Sequence, residues 1–156
     1  MKFFSVFIIA LFIAEGSSFA QSNLEKALFE LPDVIFKKIE TPDGYASAYE
    51  LKIKQPIDHK DAAMGHFYQR VYLSHFSFDN PTIMITNGYG RPSNNLTEIA
   101  RLLNANQINI EHRYFLESSP DSLDYDYLNF EQVTADLHKI NQLFREIYSG
   151  KWLASG

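Results

Sequence analysis

The chain has 156 residues, a formal net charge of -5 and no cysteine. Without cysteine there is no disulfide framework, and scattered charge with no basic patch argues against nucleic acid or an anionic membrane as partner. Apolar residues make up 46% of the chain, with 13 Phe and 9 Tyr, which excludes disorder and calls for an ordinary hydrophobic core.

Residues 1–20 read as an export signal, with Lys2 as the charged start, Phe3 to Ala14 as the apolar stretch and Ser18-Phe19-Ala20 as a small-x-small cleavage site. A mature chain starting at Gln21 is expected to be periplasmic or extracellular. The rival is a membrane anchor, but Glu15 and Gly16 end the apolar run short of the ~20 residues that cross a bilayer, so no membrane association is expected after cleavage. Residues 21–156 show no repeat or linker and are expected to form part of one domain.

The turn-prone Pro42-Asp43-Gly44 leads into a strand from Tyr45 to Ile57, and a β-rich run from His66 to Phe76 follows a polar loop. No helix separates the two runs, so they are expected to pair antiparallel. After Asn80-Pro81, the apolar Thr82 to Thr86 reads as a strand covered on both faces, emptying into Asn87-Gly88-Tyr89-Gly90-Arg91-Pro92.

A helix is predicted from Asn95, capped by Asn95 with Glu98 and turning Leu96, Ile99, Leu102 and Leu103 to one face; a strand from Gln107 to His112 then completes a βαβ unit. The best-marked helix runs from Phe130 to Tyr148, with Asn129 and Gln132 as reciprocal caps and Gly150 in the place of a left-handed C-terminal residue. Its apolar face is Val133, Leu137, Ile140, Phe144 and Ile147. Lys151 to Ala154 then reads as a strand running into Gly156, the position of the first glycine in a Gly-x-Ser-x-Gly nucleophile elbow. The order is that of the N-terminal half of an α/β-hydrolase sheet, an antiparallel strand pair followed by parallel βαβ units.

Three stretches carry a more specific resemblance: Asn87-Gly88-Tyr89-Gly90, Glu111-His112-Arg113-Tyr114-Phe115-Leu116-Glu117-Ser118-Ser119-Pro120 and Gly150 to Gly156. With the segment from Tyr127 to His138, they resemble the secreted serine tripeptidyl aminopeptidases of serine peptidase family thirty-seven, α/β-hydrolases distantly related to prolyl carboxypeptidase and dipeptidyl peptidase II. Leu116 stands where the wider group most often has glycine. The resemblance implies the N-terminal portion of an exported serine exopeptidase that acts on peptide substrates without a cofactor. It also implies that the Ser, Asp and His all lie past Gly156, leaving these residues inactive alone. The alternative is a noncatalytic secreted binding or remnant protein with a half-hydrolase fold.

Within the chain, Tyr89 or Gly90 is the candidate backbone donor to an oxyanion. Glu111, His112, Arg113 and Glu117 are expected to be structural residues near the site. Neighbouring strand residues point to opposite faces, so Glu111 and His112 are not a converging pair; Arg113 and Glu117 are expected to brace the loop by an ion pair. The five histidines show no His-x-x-x-His pair, so no metal site is expected. Asp136 and His138 sit about 200° apart on their helix, and Asp136 reads as a polar residue near its start. Asp121, Asp124, Asp126, Tyr125 and Tyr127 form a loop read as solvated, with a substrate rim as the lesser reading.

Overall fold

The structure is a computed structural model that describes residues 23–156; the expected export signal at 1–20 and the start at Gln21 lie outside the described residues. A helix over 23–30 (α1) opens the described chain and buries Leu24 and Leu28, one turn apart. Asp33, at φ 59°, turns the chain into β1 (Val34–Lys38). Neither element was foreseen from the sequence.

β2 (Ser47–Pro56) and β3 (His66–His75) form the expected antiparallel pair, and β1 adds antiparallel to β2. In β2 the residues Tyr49, Leu51 and Ile53 are fully buried while Lys52 is exposed, the period-two pattern of a sheet with one face in the core. The next segment is β4 (Thr82–Ile85), α2 (Glu98–Leu102) and β5 (Asn106–Ile110), with β4 and β5 parallel from Thr82 opposite Asn106 to Ile85 opposite Asn109. Both strands are buried along their whole length, as the apolar run of β4 predicted; for β5, with its Asn and Gln residues, the burial was not expected. α3 (Phe130–Arg145) leads to β6 (Trp152–Ser155), which pairs parallel with β4 rather than with β5.

The sheet order is therefore β1-β2-β3-β5-β4-β6, the first strands of an α/β-hydrolase sheet with one extra antiparallel strand at the outer edge. From β4 the chain crosses to β5 on one side and returns to β6 on the other. That reversal makes the β4–β6 crevice at the carboxyl ends of the strands a switch point, the place where open α/β sheets bind ligands.

Two cores lie on opposite faces of the sheet. The larger joins α1 and α3 to the sheet through Leu24, Leu28, Leu51, Leu73, Ile108, Ile140 and Phe144; each such side chain contributes roughly 1.5–3 kcal/mol. The smaller, under α2, holds Ile83, Ile85, Ala100 and Ala105.

Three local expectations are corrected. The cap of α2 is Thr97, whose hydroxyl accepts from Ala100 N, because Asn95 instead bonds Ser93 through its side chain and gives its carbonyl to Gln107. The helix turns Ala100 to the sheet, leaving Ile99, Leu102 and Leu103 exposed, so the four-residue apolar face is not the packing face. Gly150 is not a left-handed helix end: α3 closes in right-handed geometry at Glu146, and Gly150 instead passes Asn80, whose carbonyl would lie 3.3 Å from a Cβ there.

Candidate active site at the sheet's carboxyl edge

Three chain segments meet at the switch point: the loop after β4, the loop after β5 and the residue after β6. Thr86 N donates to Ser155 O at 2.8 Å, and the Thr86 hydroxyl lies 3.5 Å from where a Cβ on Gly156 would be. Gly156 thus sits beside the start of the 87–90 loop. Within that loop Tyr89 N is spent on Asn87 O, while Gly90 N has no hydrogen-bond partner among the described residues. Gly90 is also where the two loops touch, since a Cβ there would meet Leu116 Cδ1 at 2.8 Å. Tyr89 projects outwards, 69% exposed, with its ring edge-on to Phe115.

β5 ends at Ile110, so Glu111 and His112 lie just past the strand, and their side chains go to different neighbours. Glu111 is fully buried and uses both carboxylate oxygens. Its Oε2 accepts from Arg70 Nη2 at 2.6 Å and from Arg91 N at 2.7 Å. Its Oε1 accepts from Ser118 Oγ at 2.8 Å and Ser118 N at 3.1 Å. A buried carboxylate is tolerated only when paired and hydrogen-bonded, and here all of the partners come from three different segments.

His112 is half-buried. Its N–H donates to Tyr89 O at 3.1 Å, and its ring Nδ1 faces Arg113 O at 2.9 Å. A carbonyl only accepts, so Nδ1 carries the proton and the opposite edge of the ring, with Cδ2 and Nε2, lies against Gly88. A narrow cleft behind this contact is lined by Thr86, Gly88, Ile110, His112, Val133 and Leu137.

Arg113 and Glu117 do not pair with each other, contrary to the expected brace. Arg113 turns inward to Asp136 on α3, with Nε to Oδ2 at 2.7 Å and Nη2 to Oδ1 at 3.0 Å, and both side chains are at most 1% exposed. Its remaining N–H groups donate to the carbonyls of Pro56, Ile57 and Tyr127. Glu117 instead faces outward to Lys52 and Arg70, each at 3.3 Å, and these cations hold its carboxyl below the usual range. The reason is geometric: the loop doubles back through left-handed Tyr114 (φ 67°) and Leu116 (φ 46°), which sends residues 113 and 117 apart. Leu116 occupies a conformation that glycine adopts far more readily than leucine.

Asp136 is therefore a buried hub, and the sequence reading of it as an ordinary polar residue is corrected. His59 Nε2 donates to its Oδ1 at 2.7 Å, and the backbone carbonyl of Asp136 accepts from Gln55, which leads through Gln69 to the carbonyl of Glu111. Spacing gave no hint of this, because Arg113, Asp136 and His59 are brought together from three separate elements. The exposed His138 takes no part.

The acidic 121–126 loop is exposed, and Tyr125 stacks edge-on to Tyr114 beside the 111–118 turn. Among the described residues, no three His, Asp or Glu side chains form a metal-ligating set, and no helix is long and apolar enough to cross a membrane. A wide polar hollow of about 420 Å³, lined by Glu40, Thr41, Asp43, Ser93 and Asn94, opens near the amino ends of the parallel strands, away from Gly156.

The chain is similar in sequence to known proteins. The prolyl tri/tetrapeptidyl aminopeptidase of Streptomyces mobaraensis is 31% identical over 146 residues, 92% of this chain and 30% of that relative. The probable serine protease EDA2 of Arabidopsis thaliana is 31% identical over 143 residues, 83% of this chain and 29% of its own length. The chain thus spans less than a third of either relative. The family model described as PS-10 peptidase S37 matches residues 21–156, a span that takes in every strand and loop of the carboxyl edge, so the chain belongs to the peptidase S37 family.

Proposed function

We propose that residues 21–156 are the N-terminal part of the catalytic domain of an exported serine exopeptidase, which releases short oligopeptides from the amino terminus of peptide substrates. The carrying observation is Gly156 at the carboxyl end of β6, next to Thr86 and the glycine-bearing loop after β4. In this reading a Ser two positions beyond Gly156 attacks the peptide carbonyl, a His takes and returns its proton, and an Asp orients the His. Gly90 N, rather than the engaged Tyr89 N, offers one of the oxyanion donors, and the N–H after the Ser offers the other. Residues 1–156 alone then have no hydrolytic activity, since the triad is supplied by the continuing chain. The tri/tetrapeptidyl specificity in the name of the Streptomyces relative supports attack near a free amino terminus.

The test is to treat the full-length peptidase with a fluorophosphonate and to follow cleavage of matched peptides with free and acetylated amino termini. Labelling at the Ser after Gly156, with cleavage only of the free peptide, is expected. Labelling elsewhere, or equal cleavage of the acetylated peptide, would overturn the assignment. For export, sequencing of the mature protein is expected to begin at Gln21, and a retained Met1 would contradict it.

A further inference from the structure

We propose that Glu111 is the positioning residue of the 87–91 loop: its buried carboxylate holds Arg91 N and so sets the aim of the Gly90 N–H towards a developing oxyanion. The inference rests on the serine peptidase reading above, and it assigns to one carboxylate the precision that reading requires.

The loop has little else to fix it. Residues 87–89 are exposed, and no helix follows until Thr97. Besides the packing of Leu116 on Gly90 and of Phe115 on Tyr89, hydrogen bonds pin it at three points. At its tip, His112 N holds Tyr89 O at 3.1 Å. Across its base, the Arg91 guanidinium donates to the Asn87 side chain and to Asn87 O. At its exit, Arg91 N donates to Glu111 Oε2 at 2.7 Å. Only the last of these ties the loop to a fully buried group.

Glu111 is itself immobilised. Its N–H donates to Arg70 O, and its carboxylate takes Arg70 Nη2 on one oxygen and Ser118 on the other. Arg70 is in turn held by Glu117, which Lys52 also contacts. The chain of contacts runs from solvent, through two carboxylates and an arginine, to the backbone N–H one residue after Gly90. A charge-assisted bond in a dry site is short and directional, which suits a part that has to hold an amide in aim. Glu111 touches no reacting atom, so its effect reaches the chemistry only through the loop.

A purely structural carboxylate and a positioning one differ in what they move. Loss of aim at an oxyanion donor weakens transition-state binding and leaves ground-state binding alone. A displacement of about 1 Å in such a group can cost on the order of 100-fold in rate. In the full-length peptidase, Glu111→Gln is expected to lower kcat about 10- to 100-fold with KM within about two-fold, and to weaken a peptide aldehyde inhibitor in step with kcat/KM. Glu111→Asp, which keeps the charge, is expected to recover part of the loss.

Wild-type enzyme that is labelled by fluorophosphonate while Glu111→Gln keeps its kcat and aldehyde affinity would overturn the positioning role and leave the peptidase reading intact. Wild-type enzyme that is never labelled sinks the peptidase reading first. If Glu111→Gln does not fold, hydrogen exchange of the wild type decides: the Arg91 amide is expected to be protected like those of β4 while Gly88 and Gly90 exchange fast. Rapid exchange at Arg91 contradicts the latch.

Discussion

Glu111 and Arg113 are two residues apart, yet they anchor buried ion pairs on opposite faces of the sheet. Arg113 with Asp136 is closed. Every N–H it points inward ends on Asp136 or on the carbonyls of Pro56, Ile57 and Tyr127, so the pair staples the 56–57 segment, the turn at Tyr127 and α3 to the loop after β5. Glu111 with Arg70 is open. It passes through Glu117 and Lys52 to the surface in one direction and through Arg91 N to the 87–91 loop in the other. The contrast separates a cluster that holds the fold from one that holds a loop in aim, and three of the four expected effects below bear on it.

The largest effect is expected at the closed cluster. Asp136→Ala leaves the Arg113 guanidinium buried without its bidentate partner, a loss of about 3–5 kcal/mol. Denaturant unfolding of the full-length protein checks it, and a loss below about 1 kcal/mol would mean the cluster is no staple.

Acid provides the next effect, through a buried group that belongs to neither cluster. His75 is 1% exposed, contacts the Tyr148 hydroxyl at 2.8 Å, and is pushed down to about 4 from 6.5 chiefly by burial. Above pH 6.5 the ring is neutral in both states and nothing is lost. As pH falls from 6.5 towards about 4, the unfolded chain takes up a proton that the folded one refuses. Stability therefore declines across that window, by at most about 3 kcal/mol. Unfolding curves at several pH values, compared with those of His75→Phe, isolate this part of the profile, which the variant is expected to flatten.

Smaller effects come from the loop that separates the two clusters. Leu116→Gly relieves a left-handed leucine that is 59% exposed and buries little, and it is expected to change stability by no more than about 1 kcal/mol, on the stabilising side. A marked loss would show that the Leu116 contact with Gly90 matters more than the backbone strain. The smallest effect is at the outer end of the open cluster: Lys52→Ala breaks a half-exposed pair with Glu117 and should cost less than about 1 kcal/mol, fading with salt.

Much of this fold was legible because it rests on local signals. Asn129 and Gln132 mark the start of α3, where Asn129 does accept from Gln132 N. The apolar run at Thr82 to Ile85 marks a doubly covered strand, and the glycines after it mark the loop. The first elements carry weak local signals, because α1 shows only Leu24 and Leu28 as its repeat and β1 has just five residues. The clusters were illegible for a different reason. Asp136 finds Arg113 and His59 from 23 and 77 residues away, and nothing in helical spacing records a partner on another element. The expected Arg113–Glu117 brace failed because two left-handed residues between them reverse the loop, and a tyrosine at 114 and a leucine at 116, unlike glycines, do not of themselves signal that conformation.

The most direct measurement is the crystal structure of the proposed peptidase, its chain continued past Gly156, phosphonylated by a fluorophosphonate. The account predicts the phosphorus on the Ser two positions after Gly156, with its anionic oxygen about 2.7–3.1 Å from Gly90 N and the Arg91 N–H still on Glu111. An adduct whose oxygen points away from the 87–91 loop, or a phosphonyl group on a residue away from the β6 end, would contradict it.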